Sequence, residues 1–224
     1  MGGLGCPAAL ALGDELSRRG GLLVFSDGDI VDLSNLHRQI LYRTADVGRR
    51  KAEVAAVRLA DRFARLELRA LPFAVDASIA AELFAEVDVV LDGTDSLDTK
   101  FLLSDIAVAT GTPLVHGAAV RLGGQLMSIV PGSACLRCVF ESPNAEAASC
   151  SADGVLGPVA GVIGARMAIE ALAILEGRPA LAGALSIFDG AHPALDRRVA
   201  FSVRATCKTC HSSLSTDSTG AQLL

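Results

Sequence analysis

Two sets of residues have types and spacings that could do chemistry. The first is four cysteines in two pairs, Cys135-x-x-Cys138 and Cys207-x-x-Cys210. Two such hooks supply four thiolates, a closed tetrahedral set for Zn²⁺. The stretch between the pairs is much longer than in a zinc finger, so the metal would staple distant segments. A closed set leaves no position for substrate, which predicts a structural site. Redox pairs, or four unrelated cysteines, are the alternative.

The second set lies in the first half of the chain: Gly2, Gly3 and Gly5; Asp27 and Asp29; Asn35, Arg38 and Gln39; Lys51; and Asp95. Glycines let backbone N–H groups approach phosphate at a helix N-terminus. An acid at the end of the following strand can take a ribose hydroxyl, a role for Asp27, with Asp29 helping to position phosphates or metal. Arg38 and Lys51 can neutralise phosphate charge, and Asn35 and Gln39 would face the same groups. Asp95, in Leu91-Asp92-Gly93-Thr94-Asp95, offers a carboxylate to a hard cation such as Mg²⁺. The competing readings are an Asp-Gly-Asp turn and an Asp95 helix cap, although Ser96 suits the cap better. A glycine turn followed by an acid also fits an NAD site.

The elements that must position these residues follow from periodicity and turn chemistry. Helices are expected over 7–19, 46–64, 76–86, 97–110 and 157–175. Strands are expected over 22–25, 66–73, 87–92, 114–119, 185–188 and 198–203. Gly123-Gly124-Gln125 reads as a tight turn between two antiparallel strands, and 135–151 as a loop. Alternating strands and helices imply an α/β fold, a doubly wound, mostly parallel Rossmann-like sheet with an antiparallel extension. Ligands bind such sheets at the carboxyl ends of the strands, where Asp27, Asp29 and Asp95 fall. One domain over 1–211 is expected, followed by a Ser/Thr/Gly-rich tail over 212–224 predicted to be disordered.

The chain has 224 residues, half of them hydrophobic and only 4% aromatic, so its core is mostly Ala, Val, Leu and Ile. A net charge of −5 argues against general nucleic-acid binding. The most membrane-like stretch, 155–175, contains Pro158, Arg166 and Glu170 and reads as a buried core helix. With no signal peptide evident, a cytoplasmic location is expected, and the cysteines are not read as a disulfide framework.

The run Asp27-x-Asp29 followed by Ser34-Asn35-Leu36-x-Arg38-Gln39 resembles the MoeB/ThiF/HesA family of adenylating enzymes, relatives of the ubiquitin-activating enzymes. The resemblance extends from Gly2 to about Cys210. It implies an adenylyltransferase that joins ATP to the C-terminal glycine carboxylate of a small ubiquitin-like sulfur carrier ending in Gly-Gly. It further implies Arg38, Lys51 and Asp95 as catalytic residues, Mg²⁺ on Asp95, Zn²⁺ on the four cysteines, a homodimer and a separate sulfur donor. Cys150 matches a loop cysteine that bonds covalently to the carrier in some relatives; an incidental loop cysteine is the alternative. Cys6 reads as packing, and Arg121 as a group near the site that helps seat the carrier tail.

The chain departs from the family in three places. The strand that leads into the glycines is absent, which predicts that Met1 is internal to a longer protein or that the form is weak or inactive. Ser96 stands where relatives usually have Asn. Lys100-Phe101 stands where they commonly have a polar pair such as Arg-Asn. A carrier-binding scaffold, an NAD-dependent oxidoreductase and a peptide-modifying enzyme are the competing functions.

Overall fold

A computed structural model describes residues 1–140, 154–192 and 196–214. The chain opens with helix α1 (Gly5–Arg19), which ends where Gly20 takes a left-handed φ of 76°. Strand β1 (Leu22–Ser26) follows, and then two single 3₁₀ turns, Leu33–Asn35 and Thr44–Asp46. Helix α2 covers Lys51–Arg62 and strand β2 Glu67–Leu71. The expected helix over 46–64 therefore starts late. Gly48, at φ 86°, breaks the chain, and the N–H of Val31 and the carbonyl of Arg49 hold the segment extended at 2.8 Å.

Helix α3 (Ala80–Ala85), strand β3 (Val90–Asp92), helix α4 (Leu97–Thr110) and strand β4 (Leu114–Val120) come next. Strand β5 (Gly123–Ile129) and the short helix α5 (Leu136–Phe140) lead to the stretch beyond the described residues. The rest is helix α6 (Gly157–Leu175), strands β6 (Ala184–Asp189) and β7 (Arg197–Ala200), and helix α7 (Lys208–Leu214).

The expected turn at 123–125 lies elsewhere. Gly123, Gly124 and Gln125 are inside β5, paired with Val120, Ala119 and Ala118. The hairpin turns at Arg121-Leu122, with Arg121 at φ 51°. Gly124 is glycine for another reason: a Cβ there would lie 2.4 Å from Cγ1 of Ile163 on α6.

Strands β1 and β2 form a two-stranded parallel sheet, and β3 to β7 form a five-stranded sheet in sequence order. In the latter, β3–β4 is parallel and the remaining pairs are antiparallel. Among the described residues β1 pairs only with β2, and β3 only with β4 on its inner edge. Residues 21–29 and 86–91 line one cavity of about 1290 Å³, so the unpaired edges of β1 and β3 both border it.

Helix α6 is long and apolar enough to cross a membrane by length and composition. Here it packs through Ile163, Met167, Ala168 and Ala171 on α1 and the sheet. Its crossing with α1 is close, since a Cβ on Gly164 would lie 2.3 Å from the carbonyl oxygen of Leu4.

Candidate functional site

All ten residues expected at the nucleotide line the same cavity: Gly2, Gly3, Gly5, Asp27, Asp29, Asn35, Arg38, Gln39, Lys51 and Asp95. They converge because they sit at element ends or, for Arg38 and Gln39, in the loop after the first 3₁₀ turn. The glycines open α1, the acids follow β1, Lys51 is the first residue of α2, and Asp95 follows β3. None of Gly2, Gly3 or Gly5 has a positive φ, so the turn does not need glycine for its backbone angles. What glycine provides is space. A Cβ on Gly2 would meet only Gln39 Nε2 within 4 Å, at 3.8 Å.

The first turn of α1 has no side-chain cap; the Cys6 N–H donates to Gly2 O at 3.0 Å, and the partial positive charge of a helix start lies at the residues that line the cavity. Gln39 is buried, and its Oε1 has no hydrogen-bond partner. A buried unpartnered amide oxygen costs about 1–3 kcal/mol, and here it borders the space a ligand would fill. Arg38 lies against Gly3, with its side-chain carbons 3.3 Å from where a Cβ would be.

Lys51 and the two acids are already tied to the protein. The Lys51 N–H donates to the Asp29 carbonyl at 3.0 Å, and Lys51 Nζ donates to Asp29 Oδ2 at 2.8 Å. The ammonium is buried while the Asp29 side chain is 74% exposed, so an incoming phosphate can compete for Lys51 from the open side. Asp27 accepts from the Asp29 N–H at 2.8 Å and pairs with the Met1 ammonium. The expected ribose ligand thus has both carboxylate oxygens engaged. Asp46 anchors the loop before Lys51. Although burial opposes its ionisation, the Arg43 N–H and the Arg58 guanidinium hold its carboxyl below the usual range.

Asp95 is exposed and makes no hydrogen bond or ion pair among the described residues. Ser96 caps α4, its Oγ accepting from the Thr99 N–H at 3.3 Å. Asp95 is therefore left open, as a Mg²⁺ ligand requires.

Arg121 follows Val120, which lines the cavity, and its backbone joins β4 to the start of α6, donating to Gly154 O and accepting from the Leu156 N–H. Cys6 is fully buried, donates from Sγ to Met1 O at 3.3 Å, and is pushed up in pKa by burial, as a packing residue would be. Cys150 lies outside the described residues.

The four cysteines converge beside the middle of α4, where the Leu136 N–H donates to Ser104 Oγ and Thr209 Oγ1 to Asp105 Oδ1, each at 3.2 Å. Sγ–Sγ distances are 3.9 Å for Cys135–Cys138 and 3.6 Å for both Cys135–Cys207 and Cys138–Cys210. All four sulfurs lie within 4.8 Å of one another. A zinc tetrahedron with Zn–S near 2.3 Å has edges of about 3.8 Å, so the set fits that metal. Burial pushes the Cys135 thiol up to about 11. Burial also acts on Cys138, but N–H groups such as that of Arg204, 3.4 Å from its sulfur, bring it below its usual value.

Sequence reasoning missed one group. Asp92, Lys100 and His116 meet in a fully buried cluster between β3, α4 and β4. The only signal was compositional: a lysine on the inner face of a helix and a histidine inside an apolar strand.

A glycine-opened helix, acids after β1 and an open acid after β3 share one cavity at the carboxyl ends of parallel strands, where α/β domains of the Rossmann type take their ligands. The chain belongs to the ThiF family, whose match covers residues 1–210. It is 41% identical over 192 residues to the sulfur carrier protein ThiS adenylyltransferase of Escherichia coli K12, covering 85% of this chain and 75% of that protein. It is 37% identical over 214 residues to the adenylyltransferase and sulfurtransferase UBA4 of Meyerozyma guilliermondii, covering 93% of this chain but 49% of the relative. The chain therefore spans three quarters of one relative and about half of the other. Among solved structures, E. coli MccB with ATP superposes with a TM-score of 0.78 at 17% identity, over 93% of this chain and 63% of that one, a likeness of fold.

Proposed function

We propose that this chain adenylates the C-terminal glycine carboxylate of a small ubiquitin-like sulfur-carrier protein, with ATP as co-substrate. The observation that carries the reading is the convergence of ten nucleotide-site candidates on one cavity, with the Asp95 carboxylate left open and Gln39 Oε1 unpartnered. The similarity to a ThiS adenylyltransferase supports it.

The carrier's carboxylate is already ionised near pH 7 and needs no general base. One of its oxygens attacks the α-phosphorus of ATP. The Pα–O bond to the β-phosphate breaks, and pyrophosphate leaves with that oxygen and its electron pair, giving an acyl adenylate. The work of the protein is positioning and charge neutralisation. The α1 N-terminus and Gly2 admit phosphate; Arg38 and Lys51 offset its charge, Lys51 exchanging part of its contact with Asp29. Asn35 and Gln39 orient the oxygens, and Asp27 takes the ribose hydroxyls on giving up the Met1 ammonium. Mg²⁺ held by Asp95 would spread the charge of the leaving group. Zn²⁺ on the four thiolates would hold α5 to α7. A homodimer, a separate sulfur donor and a covalent role for Cys150 belong to the same reading and rest on family resemblance.

The test is ATP–pyrophosphate exchange with candidate carriers ending in Gly-Gly. Exchange is expected only with a carrier present and is lost in Asp95→Ala. A second reading, a carrier-binding scaffold with weak chemistry, is favoured by the Lys51–Asp29 ion pair, which already engages one of the expected phosphate cations. It predicts carrier binding without exchange.

A further inference from the structure

Asp92 ends β3 and is completely buried. Its two oxygens face different ways. Oδ1 accepts from the Thr94 N–H at 3.0 Å and from Thr94 Oγ1 at 2.7 Å, which closes the turn that carries Asp95. Oδ2 accepts from Lys100 Nζ at 3.1 Å and from His116 Nδ1 at 2.9 Å. Lys100 Nζ also donates to Gly117 O at 2.7 Å. One carboxylate thus joins the first turn of α4 and the middle of β4 to the loop after β3.

A buried ion pair is by itself weak evidence for stability, since apolar residues of equal volume often do as well. What such residues cannot supply is direction. Hydrogen bonds from Lys100 and His116 fix the plane of the Asp92 carboxylate, and so fix where Oδ1 holds Thr94. Asp95 is the next residue, is exposed, and makes no side-chain hydrogen bond or ion pair among the described residues. The placement of its carboxylate therefore depends on the turn behind it and on the Ser96 cap. Burial and the neighbouring Lys100 keep His116 below its ordinary pKa, which suits a neutral ring donating from Nδ1.

We infer that Asp92, Lys100 and His116 form a buried brace that sets the Asp95 carboxylate for its cation, with Lys100 and His116 as positioning residues acting through Asp92. The inference rests on the reading of Asp95 as a Mg²⁺ ligand and goes beyond it by saying what aims that ligand.

The test uses the full chain with two pairs of variants, His116→Leu against His116→Asn and Lys100→Met against Lys100→Arg. Asparagine keeps a donor near the Nδ1 position, and arginine keeps the cation. Two readouts are taken. One is the Mg²⁺ midpoint of carrier-dependent ATP–pyrophosphate exchange; the other is hydrogen exchange of the Thr94 amide in protein free of metal and nucleotide. In His116→Leu and Lys100→Met the Mg²⁺ midpoint is expected to rise about 10-fold and Thr94 exchange to quicken by about the same factor. Both return to within about 3-fold of the parent in the conservative variants. ATP affinity without Mg²⁺, from calorimetry, stays within about 2-fold throughout.

Should the apolar variants fail to fold, Thr94→Val removes one contact to Oδ1 and leaves the charges alone; a rise of about 3-fold in the midpoint is expected. Folded variants with parental Thr94 exchange and parental Mg²⁺ midpoint would overturn the brace. If the parent itself shows no carrier-dependent exchange, the adenylation reading fails instead, and the Thr94 exchange rates still decide the brace.

Discussion

The two ends of this molecule solve opposite problems. At one end, β4 has hydrogen-bonded neighbours on both edges, and Leu114 and Val115 are fully buried. Nearby, the sulfurs of four thiols lie within 4.8 Å of one another, a set that a metal would complete. At the other end, among the described residues, β1 has a neighbour on one edge, Leu22 is half exposed, Gln39 Oε1 lacks a partner, and the Asp95 side chain has none either. The difference teaches where to look for function in such a fold. The end whose strands are paired on both edges holds shape, and the end with an open strand edge and an open carboxylate is where a ligand completes the structure.

The largest expected effect separates the ends outright. Cys207→Ser should lose stoichiometric metal and lower Tm by about 10 °C or more, read by metal analysis and calorimetry. The same variant, while folded, should keep its ATP affinity. A Cys207→Ser protein with unchanged Tm would remove the staple from the comparison.

Asp95→Ala should do the reverse. Carrier-dependent exchange falls by about 10³-fold, while Tm stays within about 2 °C of the parent.

A third pair of changes asks whether α6 couples the ends. In Gly164→Ala the new Cβ would meet the Leu4 carbonyl, a backbone atom just behind the glycine turn. A loss of about 2 kcal/mol is expected, with weaker ATP binding as α1 shifts. In Gly117→Ala the new Cβ meets the thioether of Met167, a flexible side chain, so the loss should be nearer 1 kcal/mol. Denaturant midpoints and nucleotide titrations give both. Equal losses would mean the helix crossing is softer than the geometry says.

The smallest effect is a pH slope. The folded pKa of His116 is depressed by burial and by Lys100. Between that value and about 6.5, the unfolded chain binds a proton that the folded chain does not, so stability rises with pH there and falls on acidification. His116→Asn should flatten the slope below pH 6.5 by up to about 1.4 kcal/mol per pH unit, seen as the difference in urea midpoints between variant and parent. Asp92 acts lower. Burial opposes its charge, but Lys100 and His116 hold its carboxyl below the usual range, so its contribution is present above about pH 4 and is lost as pH falls further.

Much of the architecture was legible because local rules and tertiary packing agreed. The helices 97–110 and 157–175 begin and end where their caps and apolar runs place them. The ten nucleotide-site candidates were legible because each follows or opens an element, and element ends in parallel sheets point one way. The hairpin was misplaced because Gly-Gly normally marks a turn. Here Gly124 is required by Ile163 on a helix some forty positions on, while the strained turn fell to Arg121. The engagement of Asp27 and the Asp92 cluster were illegible for a related reason. They depend on which groups separate elements bring together, the Met1 ammonium on Asp27 and Lys100 and His116 on Asp92, and no period in the sequence encodes that.

The thiol cluster also has a topological consequence. Cys135 and Cys207, like Cys138 and Cys210, are 72 positions apart. A metal between them closes the chain into a ring containing α6, β6 and β7, a constraint worth about 4 kcal/mol if it acts as a covalent cross-link would. A single peptide bond hydrolysed anywhere inside that ring should leave one particle, heavier only by the water added. The two fragments should part only when a chelator and a denaturant are applied together.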